Sequence, residues 1–440
     1  MNKLSYFEVE GLFGLFNHKI TLRTAQRITI IHAPNGFGKT AILRMIAGFF
    51  GGSLLVFRQY EFKIVRLSFT DGQLVRIQQT VVETDDKRRP NERRYDLILE
   101  KDGEHVERWS PWDVVESDAD RRIVGNLVIT DELMRETFVR DSLAARRLHP
   151  AEAFERFEHL FPRGHRNSVP PQLQEMRNLF ECRLIDTQRL MVRPEKGSKE
   201  KGDFIPAVRT YSQDVSASIK NAIQQSAAIT QSLDQSFPNR LLARGEGSFK
   251  SLAEPQLRGR LTDLLKLRGR LRNAGLLSRG EEDAVLSPAK FDSNTRRILT
   301  LYVFDTAQKL EVFNDLLAKI ETFLGIINRR FQFKKMSLDK DKGFVLTDFR
   351  GLPLEPDDLS SGEQHELVLI YELLFKTKAD SLLLIDEPEI SLHIAWQKHV
   401  LPDLKQIILL APMDVILATH SPQLAGGNLD LIETLNAPLE

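Results

Sequence analysis

The residues best suited to chemistry sit near the two ends of the chain. Ala33-Pro-Asn-Gly-Phe-Gly-Lys-Thr40 sets two glycines, a lysine and a hydroxyl in the register of a P-loop. Backbone N–H groups from Asn35 through Gly36 and Gly38 to Thr40 would point into one concavity. The positive end of the following helix would add to them, which makes a preformed anion site. Lys39 is placed to reach the β- and γ-phosphates, and the Thr40 hydroxyl to bind Mg²⁺. Ala33 stands where the general pattern has glycine, and alanine fits there if its φ stays below zero. Far downstream, Ser381-Leu-Leu-Leu-Ile-Asp-Glu-Pro-Glu389 ends an apolar run in carboxylates. Asp386 is placed to hold Mg²⁺, directly or through water, and Glu387 to orient and deprotonate an attacking water. Phosphoryl transfer needs both functions beside a phosphate loop.

These groups need rigid elements beneath them. The β-branched run before Ala33 reads as a strand over 26–32, and Ala41-Ile-Leu-Arg-Met-Ile46 as the opening of a helix. Residues 4–10 and 18–23 alternate like strands, joined by Gly11-Leu-Phe-Gly-Leu-Phe16. Segments 62–69 and 73–82 flank Asp71-Gly72, a hairpin signal, and 94–100 and 104–109 flank Lys101-Asp-Gly103. Residues 84–93 read as a charged loop. From 113 to 330 the pattern is mostly helical. Within it, 176–190 begins as a helix and ends as a buried strand, and 193–203 is a polar loop. A long helix carries Val215, Ile219, Ala222, Ile229 and Leu233 on one face and should stop near Pro238. A second spans 294–329, where Val303, Thr306, Leu310, Phe313, Leu317, Ile320, Leu324 and Ile327 form a heptad seam. The seam argues for a helical hairpin or short coiled coil. Strands return at 331–336 and 343–348. The expected fold is α/β, a P-loop ATPase head with an antiparallel β layer and a large helical insertion. Its parts are an N-lobe at 1–112, the insertion at 113–330 as the surface for partners, and a C-lobe at 331–440.

Composition narrows the setting. The 440 residues carry 61 Lys+Arg and 61 Asp+Glu, so no global field draws the chain to nucleic acid or acidic membranes. Any DNA contact must come from a local patch. Cys182 is the single cysteine, so no intramolecular disulfide can form, which suits a reducing cytoplasm. The N-terminus lacks an apolar core of signal-peptide length, and no run reaches the ~18 apolar residues of a membrane helix. A cytoplasmic protein with no membrane partner is expected.

Leu359-Ser-Ser-Gly-Glu-Gln364 precedes a helical run, and Ser360 or Ser361 with Glu363 makes a capping box. The same stretch resembles the signature motif of ABC-type ATPases, in the form of their SMC/RecF-like branch. That resemblance implies that Ser360, Ser361 and Gly362 of one subunit close over the γ-phosphate of ATP held by the P-loop of another. Glu389-Ile-Ser-Leu-His393 looks like the family's D-loop. Val415-Ile-Leu-Ala-Thr-His-Ser-Pro422 looks like the strand ending in its switch histidine, so His420 should contact the γ-phosphate. The family also uses a glutamine that senses Mg²⁺ and phosphate. Gln188, ending Leu184-Ile-Asp-Thr-Gln188, is the candidate, with Gln59 and Gln78 as rivals.

Within that branch the motifs are similar to those of the AAA15/AAA21 group, which includes ATPase subunits of the antiphage systems Septu and PARIS and the OLD nucleases. Ile394 departs from the group's usual proline. The resemblance implies ATP and Mg²⁺ as cofactors and a homo-oligomer joined head to head through its ATP sites. It further implies a separately encoded effector, a nuclease, and a phage protein or DNA as trigger. The insertion is too short and broken for a long SMC arm, and the chain ends too soon after His420 for an OLD-type nuclease domain. His149, His159 and His165 lack the partners of a metal site. The basic run from Leu257 to Arg272 reads as a solvated face that could touch DNA. The alternative function is a RecF-like repair ATPase whose ATP-closed dimer binds DNA itself.

Overall fold

The computed structural model describes residues 2–51, 53–82, 92–110, 169–187, 189–192, 205–242, 251–277, 291–390, 394–435 and 437. Strands β1 (Leu4–Leu12), β2 (Phe16–Thr21) and β3 (Ile28–His32) lead into helices α1 (Lys39–Phe49) and α2 (Val56–Gln59). Next come β4 (Ile64–Phe69), β5 (Gln73–Val82), β6 (Glu92–Lys101) and β7 (Glu104–Trp109). Helix α3 (Pro171–Arg177) precedes β8 (Cys182–Ile185) and the short β9 (Met191–Val192) and β10 (Ile205–Pro206). Four helices follow: α4 (Ala207–Leu242), α5 (Glu254–Asn273), α6 (Ser293–Glu311) and α7 (Asn314–Arg330). The last part runs β11 (Lys334–Asp339), β12 (Gly343–Asp348), β13 (Pro353–Leu354), α8 (Ser361–Tyr371), β14 (Leu382–Asp386), α9 (Ile394–Leu410), β15 (Asp414–Thr419) and β16 (Ile432–Thr434).

Two larger sheets carry the fold. One is antiparallel with order β2-β1-β4-β5-β6-β7, the expected β layer. Its β6–β7 turn takes Asp102 at φ 52° and Gly103 at φ 84°, the pair of positive angles that a two-residue hairpin needs. The other is parallel with order β16-β3-β15-β14-β8. Its central strands β14 and β15 read as apolar runs, 382–385 and 415–418, because both faces are covered. Ile28, Ile30, Leu383, Ile385, Val415 and Leu417 enter one core, while Ile31, Leu382, Leu384, Ile416 and Ala418 enter the other. Alternation along each strand therefore splits the molecule at this sheet. On one side α1 is clamped between the two sheets by Ile42, Leu43, Met45, Ile46 and Phe49. On the other lie α4, α7, α8 and α9. The α/β class with its antiparallel layer is as expected.

Three details differ from the sequence-based expectations. Helix α4 does not stop at Pro238 but runs through it to Leu242. Arg240 explains this. Its guanidinium donates to the Leu233 carbonyl at 2.8 Å and holds the buried Asp305 of α6 at 2.5 and 2.8 Å, so tertiary contacts secure the turn beyond the proline. The 294–329 helix is two helices, broken at Val312–Phe313, where Phe313 N–H donates to the Leu310 carbonyl at 3.1 Å in a tighter turn. Its seam residues Val303, Leu310, Phe313, Leu317, Ile320 and Ile327 are buried in the main core with sheet and α8 side chains, and Leu324 packs against it partly buried, so the two act as core helices and form no projecting coil among the described residues. Lastly, β8 lies inside the 113–330 segment yet pairs with β14, so that segment contributes a strand to the parallel sheet. The charged loop at 84–91, the three histidines at 149, 159 and 165, and residues 193–203 lie outside the described residues. No described helix is long and apolar enough to cross a membrane.

Candidate functional site

The glycine-rich loop joins β3 to α1 at the C-terminal edge of the parallel sheet, where open α/β sheets bind ligands. Gly36 and Gly38 take φ of 88° and 84°, and Gly38 caps α1. A Cβ on Gly38 would come within 2.5 Å of Leu12 Cδ2, so the β1–β2 turn leans directly on the loop. Ala33 is not among the residues with positive φ, which removes the difficulty of its departure from glycine. His18 Nε2 lies 3.0 Å from the Phe37 carbonyl, and burial lowers the pKa of the ring, so it braces the loop as a neutral donor. The sequence patterns gave no sign of that role. Lys39 is 4% exposed, and its Nζ donates to the carbonyls of Ala33 at 2.8 Å and Pro34 at 3.0 Å. One of its three donors is left for a phosphate. Burial lowers its pKa, against the pull of Glu387, Glu389 and Asp386.

The Thr40 hydroxyl donates to Asp386 Oδ2 at 2.7 Å, which brings the loop and the β14 carboxylates together. Asp386 is 2% exposed, and its Oδ1 has no hydrogen-bond partner among the described residues. Burial raises its pKa, opposed by the Thr40 hydrogen bond and reinforced by the charges of Glu387 and Asp186. A hydroxyl and a carboxylate with an unused oxygen form the hard-oxygen set that Mg²⁺ takes alongside substrate phosphates. No cluster of three metal-ligating side chains occurs among the described residues, so any ion here would lean on its substrate for the remaining ligands. Thr40 and Asp386 could hold it. Glu387 follows with φ 43°, its N–H donating to the Ala418 carbonyl at 2.9 Å.

Strand β15 lies between β3 and β14, so His420 at its end emerges between the loop and the carboxylates. Its Nδ1 is 3.1 Å from Glu389 Oε1 and 4.0 Å from Glu387 Oε1. Arg189 is a second neighbour that no motif singled out. It is 5% exposed, donates to the Pro388 carbonyl at 3.3 Å, and leaves Nε and Nη1 without hydrogen-bond partners among the described residues. Burial brings its pKa down to about 10 despite the nearby Glu372, Glu389, Asp186 and Asp386. Gln188, immediately before it, lies outside the described residues, as does His393. The preceding residue pair is visible: Asp186 accepts from Arg44 of α1 at 3.0 Å, so this segment passes beside the loop helix. The rivals fall elsewhere, Gln59 on α2 and Gln78 in β5 of the antiparallel layer.

Ser360 caps α8 as its sequence implies. Glu363 Oε2 accepts from Ser360 N at 2.7 Å, Ser360 Oγ at 2.8 Å and Lys334 Nζ at 2.7 Å, and Glu363 N–H returns to Ser360 Oγ at 3.3 Å. Ser361 opens the helix and Gly362 follows in its first turn. The apolar residues of α8 enter the core opposite the one that holds α1. The fold thus gathers Lys39, Thr40, Asp386, Glu387 and His420, and puts Ser360, Ser361 and Gly362 on a helix packed against the other face of the sheet. Ile394 is the first residue of α9, a position that suits the proline it replaces.

Comparison with known proteins adds three findings. A family profile described as "AAA domain, putative AbiEii toxin, Type IV TA system" matches residues 198–426. No curated protein sequence matches the chain. Among solved structures, the Smc head domain with an extended coiled coil from Pyrococcus furiosus, bound to the C-terminal domain of ScpA, has 13% identity and a TM-score of 0.37, covering 99% of this chain and 93% of that one. The SMC head domain from Thermotoga maritima has 11% identity and a TM-score of 0.34, covering 99% and 98%. At these values the likeness is loose. The family match spans more than half of the residues, and the chain belongs to the AAA_21 family of AAA-type ATPase domains.

Proposed function

We propose that this chain is an ATP-binding and ATP-hydrolysing ABC-type subunit of an antiphage defence complex. The observation that supports it best is the 2.7 Å contact between Thr40 and Asp386, with the Lys39 ammonium buried in the loop beside them. Asn35, Gly36, Gly38 and Lys39 would cradle the phosphates of ATP, and Gln188 would complete the shell. Mg²⁺ between Thr40 and Asp386 would neutralise the developing phosphate charge. Glu387 would orient water and take its proton, and His420 would face the γ-phosphate from β15. The reaction is ATP and water to ADP and phosphate.

Ser360, Ser361 and Gly362 would act on the ATP of a second copy, because α8 and α1 are separated by the parallel sheet. ATP would then hold two heads together, and hydrolysis would time their release. The lobes at 1–112 and 331–440 would form the head, and 113–330 would hold or release a separately encoded effector such as a nuclease. The toxin–antitoxin wording of the family description fits a defence setting. The test is the ATPase rate of Lys39→Ala and Glu387→Gln with the mass of the ATP-bound species. Loss of turnover in both, and an ATP-dependent dimer trapped by Glu387→Gln, is expected. Wild-type rates in both variants would overturn the assignment.

One feature favours the RecF-like reading. Helix α5 carries Arg258, Arg260, Lys266, Arg268, Arg270 and Arg272 against only Glu254 and Asp263. Several are already engaged, Arg258 with Glu254 at 2.9 Å and Arg270 with Glu321 at 2.6 Å. Steeply salt-dependent DNA binding by the protein alone would favour the clamp.

A further inference from the structure

Glu389 lies one residue beyond the Asp-Glu-Pro run, and its surroundings are unlike those of its neighbours. It is a carboxylate 4% exposed to solvent. One oxygen, Oε1, faces three nitrogen or hydroxyl groups of the same short segment: Thr419 Oγ1 at 2.5 Å, His420 N at 2.9 Å and His420 Nδ1 at 3.1 Å. The first two are hydrogen bonds to Oε1, and the ring nitrogen lies within 3.1 Å of the same oxygen, where a hydrogen on Nδ1 is favoured electrostatically over a lone pair facing a carboxylate. Glu387 stands at 4.0 Å from the same nitrogen, beyond hydrogen-bond reach. Glu389, and not Glu387, is the histidine's partner.

We propose that Glu389 is a positioning residue that locks His420 in its Nδ1–H tautomer. This rests on the reading of His420 as part of an ATP site. The lock has a direct chemical consequence. Nε2 becomes the ring's free edge, and in the neutral ring it is an acceptor. It accepts a hydrogen from the water that Glu387 orients, and it donates to a phosphate oxygen only when the ring carries both protons. Glu387 is left uncommitted to the histidine and free to take the proton of that water. A carboxylate that fixes the tautomer of a histidine through its far nitrogen is a recurrent device where imidazole assists a reaction.

The test is nitrogen-15 NMR of the full-length, nucleotide-free protein at a pH where the ring is neutral, with the His420 signal assigned by its loss in His420→Gln. The expected spectrum has Nδ1 protonated and Nε2 bare. Glu389→Ala should release the ring to a mixture of tautomers and lower kcat roughly 10–100-fold with KM for ATP little changed. Glu389→Gln keeps an acceptor that Thr419 and the His420 amide hold in place, so it should keep the tautomer and most of kcat. Thr419→Val, which removes a donor but not the ring contact, should leave the tautomer unchanged. An Nε2–H ring in the wild type, or an unchanged tautomer in Glu389→Ala, overturns the proposal. If the wild type hydrolyses no ATP, the ATPase reading fails while the spectrum still decides the tautomer.

Discussion

The Thr40 hydroxyl and Asp386 Oδ2 meet at 2.7 Å although the residues stand 346 positions apart. The contact uses one carboxylate oxygen and leaves the other buried without a partner. Asp386→Asn should therefore act in opposite directions. Without nucleotide it removes a buried charge that burial already disfavours, and should stabilise the protein by about 1 kcal/mol, a rise of about 2 °C in Tm. With Mg²⁺ and ATP it should lose most of the wild type's ligand-induced rise in Tm. Thermal melts with and without ligand check both halves.

Gly38 and Gly36 share a left-handed backbone but not their surroundings. A Cβ at Gly38 meets Leu12 Cδ2 at 2.5 Å, whereas at Gly36 nothing lies within 4 Å. Gly36→Ala should cost about 1 kcal/mol, from backbone strain alone. Gly38→Ala should cost more, about 2–3 kcal/mol, because the fully buried Leu12 side chain must repack as well. Urea unfolding of the two variants gives the comparison.

The α8 cap supplies a pH-dependent term. Burial would raise the Glu363 pKa, but hydrogen bonds from Lys334 and Ser360 outweigh it and hold the carboxyl below its ordinary range. A lowered folded-state pKa contributes stability that is present above the unfolded value and is lost as pH falls through the folded one. The wild type should thus lose about 1 kcal/mol on acidification below pH ~4.5 relative to Glu363→Gln, whose cap does not titrate. Parallel melts between neutral and acidic pH measure the difference.

Arg330, Glu366 and Asp403 form a buried ionic group, 3%, 1% and 3% exposed, that ties the end of α7 to α8 and α9. Arg330→Met leaves the buried Glu366 without its cation, while Asp403 keeps Arg329 at 2.5 Å, and should cost about 3–5 kcal/mol. Replacing all three with apolar residues of similar volume should recover most of that loss. Equal instability of the single and triple variants would show that the ions themselves are not the cause.

The candidate site residues stand out in the sequence because each motif is local: Gly36 to Thr40, Asp386 with Glu387, and Ser360 with Glu363 are each a few residues long. Most strands were legible too, since alternation and the Asp71-Gly72 and Asp102-Gly103 turns mark them. Pro238 misled because a local rule was overridden by Arg240 reaching Asp305, and no pattern reports a contact of that kind. The seam across Val312 and Phe313 misled for a related reason. Heptad spacing fixes which side chains are buried but not whether the backbone stays straight, and Phe313 is 1% exposed at the break itself. His18, Arg189 and Glu389 were illegible as functional neighbours because their partners are backbone carbonyls or residues on other strands.

Glu387 adopts φ 43° just before a proline, a conformation in which glycine or asparagine would rest more easily. A side chain held there carries a standing penalty of about 1 kcal/mol relative to glycine. Glu387→Gly should therefore fold more firmly than the wild type while losing turnover. This strained position at the edge of the parallel sheet then doubles as a gauge: the activity lost there, set against the stability gained, measures what the fold gives up to hold this one carboxylate in place.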